Sequence, residues 1–180
     1  MQTSETSAVR DLLASYCVGD GIDIGYGGDP IVPHAICFDL PTPYNKVGDH
    51  PQHLHGDART LPFKGGTLDW VYSAHLIEDF TYDEQVFLLS EWVKVLRNNG
   101  LLILCAPDQQ KYLADCAAKG TSHLVNMAHK ESDYSLATFK TRVLDVIKIA
   151  WVHPPILRIE KEWDAAGAYS WCIVIRRITA

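Results

Sequence analysis

The residues best suited to chemistry lie in Gly21-Ile22-Asp23-Ile24-Gly25-Tyr26-Gly27-Gly28-Asp29-Pro30. A short apolar stretch carries one acid, Asp23, near its end and then breaks into a glycine loop. Glycines there permit positive φ and let a ligand approach main chain that no Cβ shields. In an open α/β sheet, the loop beyond a strand's carboxyl end is where nucleotide-like ligands bind. A second cluster, His50, His53 and His55, has the pattern His-x-x-His-x-His. Strand alternation puts His53 and His55 on one face, but a tetrahedral zinc site needs four donors and no cysteine accompanies them. No metal is expected.

The elements that must position these residues fit one domain spanning 1–180, since 180 residues bury one core well and two poorly. A hydrophobic share of 47% and a charged share of 21% are those of an ordinary globular chain. The net charge of −6 argues against a broad nucleic-acid surface. No apolar run approaches the ~20 residues that span a bilayer. Met1 to Glu5 lacks the basic and apolar parts of a secretion signal. Cys17, Cys37, Cys105, Cys116 and Cys172 are scattered, with no Cys-x-x-Cys pair, and read as buried reduced thiols; the expected compartment is the cytoplasm.

In chain order, Ser4 to Tyr16 reads as a capped amphipathic helix with Val9, Leu12, Leu13 and Tyr16 inward. Gly19-Asp20-Gly21 stops it before a short first strand that carries Asp23, and a second strand follows at Ala35–Phe38, ending in Asp39. The few residues between them cannot hold a crossover helix, which takes about ten or more. Leu40 to Pro51 is loop, His53–Gly56 a short strand and Leu68–Ser73 a stronger one. Tyr82 to Arg97 is the clearest helix, with Val86, Leu89, Val93 and Leu96 as its stripe and Asn99-Gly100 as its stop. Leu101 to Ala106 reads as a central strand. The segment 108–134 has weak periodicity, with helix at most over Lys111–Lys119, and reads as a lid. Ser135 to Ile149 is helical through Leu136, Phe139, Val143 and Ile147. Ile156–Trp163 and Tyr169–Ile178 are too close for anything but an antiparallel hairpin. Trp151, Trp163 and Trp171 are expected in the core or against that hairpin.

This order carries a series of signatures that resembles the class I S-adenosylmethionine-dependent methyltransferases, the small type 11-like group in particular. Asp23-Ile24-Gly25-Tyr26-Gly27 matches the first motif and Asp39 the acidic end of the second strand. Gly56-Asp57-Ala58 with Leu61-Pro62-Phe63 matches the segment beside the adenine. Leu68 to His75 matches the fourth strand and its exit, and Glu91 to Leu102 the helix, glycine turn and fifth strand. The resemblance implies a Rossmann-like α/β sandwich, mostly parallel, closed by a C-terminal antiparallel hairpin. It implies S-adenosylmethionine as cofactor. By the same resemblance Asp39 takes the ribose diol, Gly25 and Gly27 admit the methionine portion, and Asp23 lies near its ammonium group. Asp57 and the Ala58 amide address the adenine, Leu61 or Phe63 walls its ring, and the Ser73 main chain helps hold the methionine end.

Two departures stand out. Asp29 and Pro30 occupy the place of the third glycine, and the helix after the first strand is truncated. Asp29 is expected to face solvent or cap the turn. A nicotinamide dehydrogenase is disfavoured, because its pyrophosphate rests on that missing helix.

Methyl transfer from a sulfonium is an in-line displacement, so positioning dominates and a base is needed only for a poorly acidic hydroxyl or a protonated amine. His75 is the candidate base, with Glu78 and Asp79 behind it in the same loop. Tyr112, His123 and His129 fall in the lid. The expected activity is methylation of a small-molecule or glycan-intermediate acceptor, and the alternative is a catalytically degenerate cofactor-binding module. An exposed sheet edge is compatible with a homodimer.

Overall fold

The computed structural model describes residues 4–43, 46–121, 128–150 and 155–179. Its frame is a seven-stranded sheet in the order β3-β2-β1-β4-β5-β7-β6. The strands are β1 (Gly21–Ile24), β2 (Ile36–Asp39), β3 (Leu54–His55), β4 (Leu68–Ala74), β5 (Leu96–Pro107), β6 (Ile156–Ala166) and β7 (Ser170–Ile178). β1, β2, β3, β4 and β5 pair in parallel. β7 runs antiparallel to both β5 and β6. Strand order reverses between β1 and β4, which opens a crevice at their carboxyl ends. Sheet class and closing hairpin are those expected.

Two helical layers cover the sheet. On one face, α2 (Tyr82–Val95) packs with α4 (Leu136–Phe139), a π-helical turn over Lys140–Leu144, and α5 (Asp145–Ala150). They bury Ile22, Val71, Leu89, Trp92, Phe139 and Trp171 among others. α2 begins on a capping box, with the Thr81 hydroxyl accepting from Glu84 N–H and the Glu84 carboxylate accepting in return from Thr81 N–H. On the other face, α1 (Glu5–Leu13) and the turns around Ile31–Ala35 cover Trp70, Tyr72, Ile103 and Val174. Each large side chain buried this way contributes about 1.5–3 kcal/mol. α3 (Gln109–Ala118) begins the segment read as a lid. All five cysteines are free thiols and buried. Among the described residues no helix is long and apolar enough to cross a membrane.

Three expectations shift. α2 ends at Val95, not Arg97, because Gly66 N–H and Thr67 N–H take the Lys94 and Val95 carbonyls and draw Leu96 into register with Leu68. Asn99 then adopts φ 65°, a left-handed turn inside the strand. The α2 stripe also rotates: Leu88, Leu89, Trp92 and Val93 are fully buried while Val86 is only partly so, because Trp92 takes the central place. The helix expected from Ser135 holds its four apolar residues inside, but the π turn interrupts it. Trp171 lies in the core and Trp163 packs edge-on against Tyr16; Trp151 and His123 lie outside the described residues.

Candidate functional site

β1 delivers the glycine loop into the crevice. Gly25 (φ 71°), Gly27 (φ 58°) and Gly28 (φ 87°) all take the left-handed conformation that favours glycine. No helix follows. Instead the segment 46–50 lies along the loop, with Val47 and Gly48 N–H donating to Gly27 O at 2.7 and 3.2 Å and His50 N–H donating to Gly28 O at 3.0 Å. The truncation expected after β1 is therefore real, and this segment covers the main chain that a helix would have satisfied.

Asp39, at the end of β2, stands where two hollows meet. One, of about 90 Å³, is lined by Ser4, Glu5, Gly25, Gly27, Asp39 and His75 among others. The other, of about 200 Å³, includes Phe38, Asp39, Gly56, Asp57, Ala58 and Phe80. Asp39 accepts from Gly27 N–H at 3.2 Å and Leu40 N–H at 2.8 Å. Partial burial raises its carboxyl above the usual range, against the pull of those two amides.

The fold thus gathers Gly25, Gly27, Asp39, Asp57 and Ala58 around the crevice. It does not bring Asp23 or Ser73 to either hollow. Asp23 is 1% exposed and faces the α1 side of the sheet, where Oδ2 accepts Ile31 N–H at 2.7 Å and Oδ1 has no partner. Burial, chiefly, pushes its pKa up to about 8. The Ser73 hydroxyl is equally buried and donates to Ile24 O at 2.9 Å, stitching β4 to β1.

Asp57 is clamped by its neighbour. Arg59 donates from Nε at 2.9 Å to Oδ1 and from Nη2 at 2.6 Å to Oδ2, and holds the carboxyl below its ordinary range. The Ala58 carbonyl accepts from Trp92 Nε1 at 2.7 Å, which fixes the segment over α2.

Leu61 and Phe63 do not wall this crevice; they line a separate hollow with Gly65, Lys94 and Arg177. The apolar wall is built from Phe38, Leu40, Leu76 and Phe80 instead. Sequence reasoning missed Leu76 and Phe80, although both lie just beyond the β4 exit that it singled out. Asp29 is half-buried and partnered, not free in solvent. It pairs with Arg10 Nη2 at 2.5 Å and takes the Ser4 hydroxyl, because the truncated helix leaves it beside α1.

His75 leaves β4 in a left-handed conformation, φ 51°, with its N–H on Cys105 O at 2.9 Å. Nε2 lies 2.8 Å from Ser170 Oγ and 3.6 Å from Glu5 Oε2, and Nδ1 lies 3.6 Å from Glu78 Oε1. Burial works to lower its pKa, but contacts with Cys105, Glu5 and Asp79 outweigh it and raise the net value. Glu78 lies on the 3₁₀ turn Ile77–Asp79, is 3% exposed, and is pushed well above the carboxylate range by burial. His129 meets Gln109 Oε1 at 2.7 Å and the Tyr112 ring at 5.1 Å, so the 128–134 stretch is tied to α3.

Two histidines of the triplet hold the end of the sheet: His53 Nδ1 accepts Cys37 N–H at 3.0 Å and His50 Nδ1 lies 3.5 Å from Cys37 Sγ, while His55 is exposed. Among the described residues no three His, Cys, Asp or Glu side chains converge as metal ligands.

A seven-stranded sheet in this order, with one antiparallel strand and a glycine loop at the switch point, is the class I methyltransferase architecture. The family model described as a methyltransferase domain matches residues 38–104, from the end of β2 through β5. A SAM-dependent methyltransferase from Thermotoga maritima aligns over 97% of this chain and 87% of its own, at 19% identity and TM-score 0.61. One from Methanosarcina mazei aligns over 94% and 98%, at 12% identity and TM-score 0.60. The methyltransferase component of the complex with the Haloferax volcanii Trm112 methyltransferase activator aligns over 96% and 90%, at 13% identity and TM-score 0.63. No curated protein sequence matches the chain. The chain resembles the class I S-adenosylmethionine-dependent methyltransferases in sequence across its centre and in fold across nearly all its length.

That resemblance implies S-adenosylmethionine, and the residues present fit it. A Cβ on Gly25 would come within 3.0 Å of Leu76, so the bare main chain keeps open a passage that a side chain would narrow. Asp39 offers a carboxylate between a polar end and an apolar slot, as a ribose between a methionine and an adenine requires.

Proposed function

We propose that this protein is an S-adenosylmethionine-dependent methyltransferase acting on a small-molecule or glycan-intermediate acceptor. The observation that carries the reading is Asp39 at the meeting of the two hollows, beside the side-chain-free residues Gly25 and Gly27. The bound cofactor supplies an activated methyl group. The chain's residues then have three tasks. Asp39 binds the ribose diol, giving up its hold on Gly27 N–H. The slot between Phe38, Leu76 and Phe80 takes the adenine, with Asp57 and Ala58 at its edge. His75, at the polar end beside Gly25, orients the acceptor and removes its proton, while the first turn of α1 excludes water.

Calorimetric titration with S-adenosylmethionine and S-adenosylhomocysteine tests the cofactor site, and a labelled-methyl screen over soluble acceptors tests transfer. Binding without transfer to any acceptor supports a second reading, a cofactor-binding regulatory module. The cover of 46–50 on the glycine loop favours that alternative, since it takes up the Gly27 and Gly28 carbonyls that a methionine ammonium could use. The proposed setting is a cytoplasmic protein, with a homodimer through an exposed sheet edge as its assembly.

A further inference from the structure

The first turn of α1 lies against the polar hollow: Ser4, Glu5 and Thr6 all line it, opposite Gly25, Gly27 and His75. Four hydrogen bonds fix the turn there. Asp29 takes both the Ser4 hydroxyl and Arg10 Nη2, and Arg10 Nη2 also donates to Pro30 O at 3.1 Å. Tyr169 donates its hydroxyl to Glu5 Oε1 at 2.5 Å. The remaining Glu5 oxygen stands 3.6 Å from His75 Nε2. Asp29 is thus more than a departure from a glycine pattern, because it joins the end of the glycine loop to the helix that carries Glu5.

We infer that Glu5 is the positioning carboxylate of His75, set in place by the clasp of Asp29 on Ser4 and Arg10. The acceptor is therefore one that must release a proton, a hydroxyl or an amine. This rests on the functional reading above. A thioether or tertiary amine has no proton to give, and a histidine base backed by a carboxylate at the methyl-transfer end would serve no purpose for it. In the proposed step the acceptor's O–H or N–H bond breaks, His75 takes the proton, and the acceptor's electron pair forms the bond to the methyl carbon as the carbon–sulfur bond breaks. Glu5 then faces an imidazolium, which it stabilises. The other groups around His75 are Glu78 and Asp79 from the 3₁₀ turn, Cys105 from β5, Ser170 from β7, Tyr169 before it, and His129. Among them Glu5 is the carboxylate that comes from α1 and lines the hollow together with His75.

The test is an NMR titration of the His75 imidazole nitrogens, assigned by their loss in His75→Asn. Glu5→Gln is expected to lower the His75 pKa by about one unit. Asp29→Asn, which leaves Glu5 present but loosens the clasp, should lower it by part of that amount. An unchanged titration in Glu5→Gln overturns the inference, and a shift in Glu5→Gln without one in Asp29→Asn overturns the clasp. A purely structural role would lower the melting temperature without moving the titration, which also overturns it. Calorimetry with S-adenosylhomocysteine on the wild-type chain is read separately: no binding there sinks the functional reading, while the titration alone decides Glu5. In the labelled-methyl screen, transfer to hydroxyls or amines supports the acceptor class and transfer to thioethers overturns it.

Discussion

Asp23 Oδ2 accepts the Ile31 backbone N–H at 2.7 Å, so the acid of the first motif is spent on the turn that replaces a helix. The link explains how so short a connection between β1 and β2 stays folded. It also buries a carboxyl whose second oxygen has no partner.

A pH dependence follows from that burial. The folded pKa of about 8 lies above the ordinary aspartate value of 3.8, so between those values the folded chain holds a proton that the unfolded chain has released. Stability is therefore full below pH ~4 as far as this group is concerned, and falls by up to about 1.4 kcal/mol per pH unit toward pH 8. Asp23→Asn removes the titration. Urea denaturation at pH 5 and pH 7.5 should show a smaller loss of stability in the variant than in the wild type.

The glycine loop is held by a close main-chain approach. A Cβ on Gly28 would fall 2.0 Å from Gly48 O, with φ at 87° besides. Gly28→Ala should cost on the order of 1–3 kcal/mol or more, since backbone must move to admit it. Gly66→Ala is the control: it shares a positive φ, but nothing lies within 4 Å of the added carbon, and its penalty should be the conformational part alone. Melting temperatures of the pair separate clash from conformation.

Much of this architecture was legible because periodicity and turn residues report local structure directly. Leu136, Phe139, Val143 and Ile147 fell on one buried face, and the spacing of the last strands left only a hairpin. The α2 boundary was not legible, since Lys94 and Val95 are capped by residues almost thirty positions earlier in the chain. The site divides in the same way. Gly25, Gly27, Asp39, Asp57 and Ala58 meet at the crevice because strand ends and their loops are local features. Phe80 in the slot, Glu5 at the polar end and the Asp29–Arg10 pair depend on how separate elements dock, which no short stretch of sequence records.

Asp39 should dominate cofactor affinity. A carboxylate accepting from two ribose hydroxyls forms charge-assisted bonds worth ~1.5–3 kcal/mol each. Asp39→Ala is expected to weaken S-adenosylhomocysteine binding at least on the order of 10- to 100-fold by calorimetry. Asp57→Ala should cost less, because Arg59 already occupies both of its oxygens. Burial raises the Asp39 pKa, so wild-type affinity should decline as pH drops through that raised value, and the Asp39→Ala curve should be flat there.

His75 combines a strained main chain with a functional ring, and substitutions can separate the two. Its φ of 51° costs a residue with a Cβ about 1 kcal/mol or more, a cost that glycine escapes and asparagine tolerates. His75→Gly and His75→Ala both remove the imidazole and its bond to Ser170, so their difference isolates the backbone. His75→Gly should melt higher than His75→Ala, by a few degrees for a chain of this size. Both should retain S-adenosylhomocysteine binding within a few-fold, since the ring addresses the acceptor end of the hollow, not the Asp39 slot. Both should lose labelled-methyl transfer by on the order of 100-fold or more at neutral pH, with the loss shrinking as rising pH ionises the acceptor unaided. A parallel pH profile for His75→Ala and wild type would remove His75 from the proton transfer and leave it as a strained support for the loop.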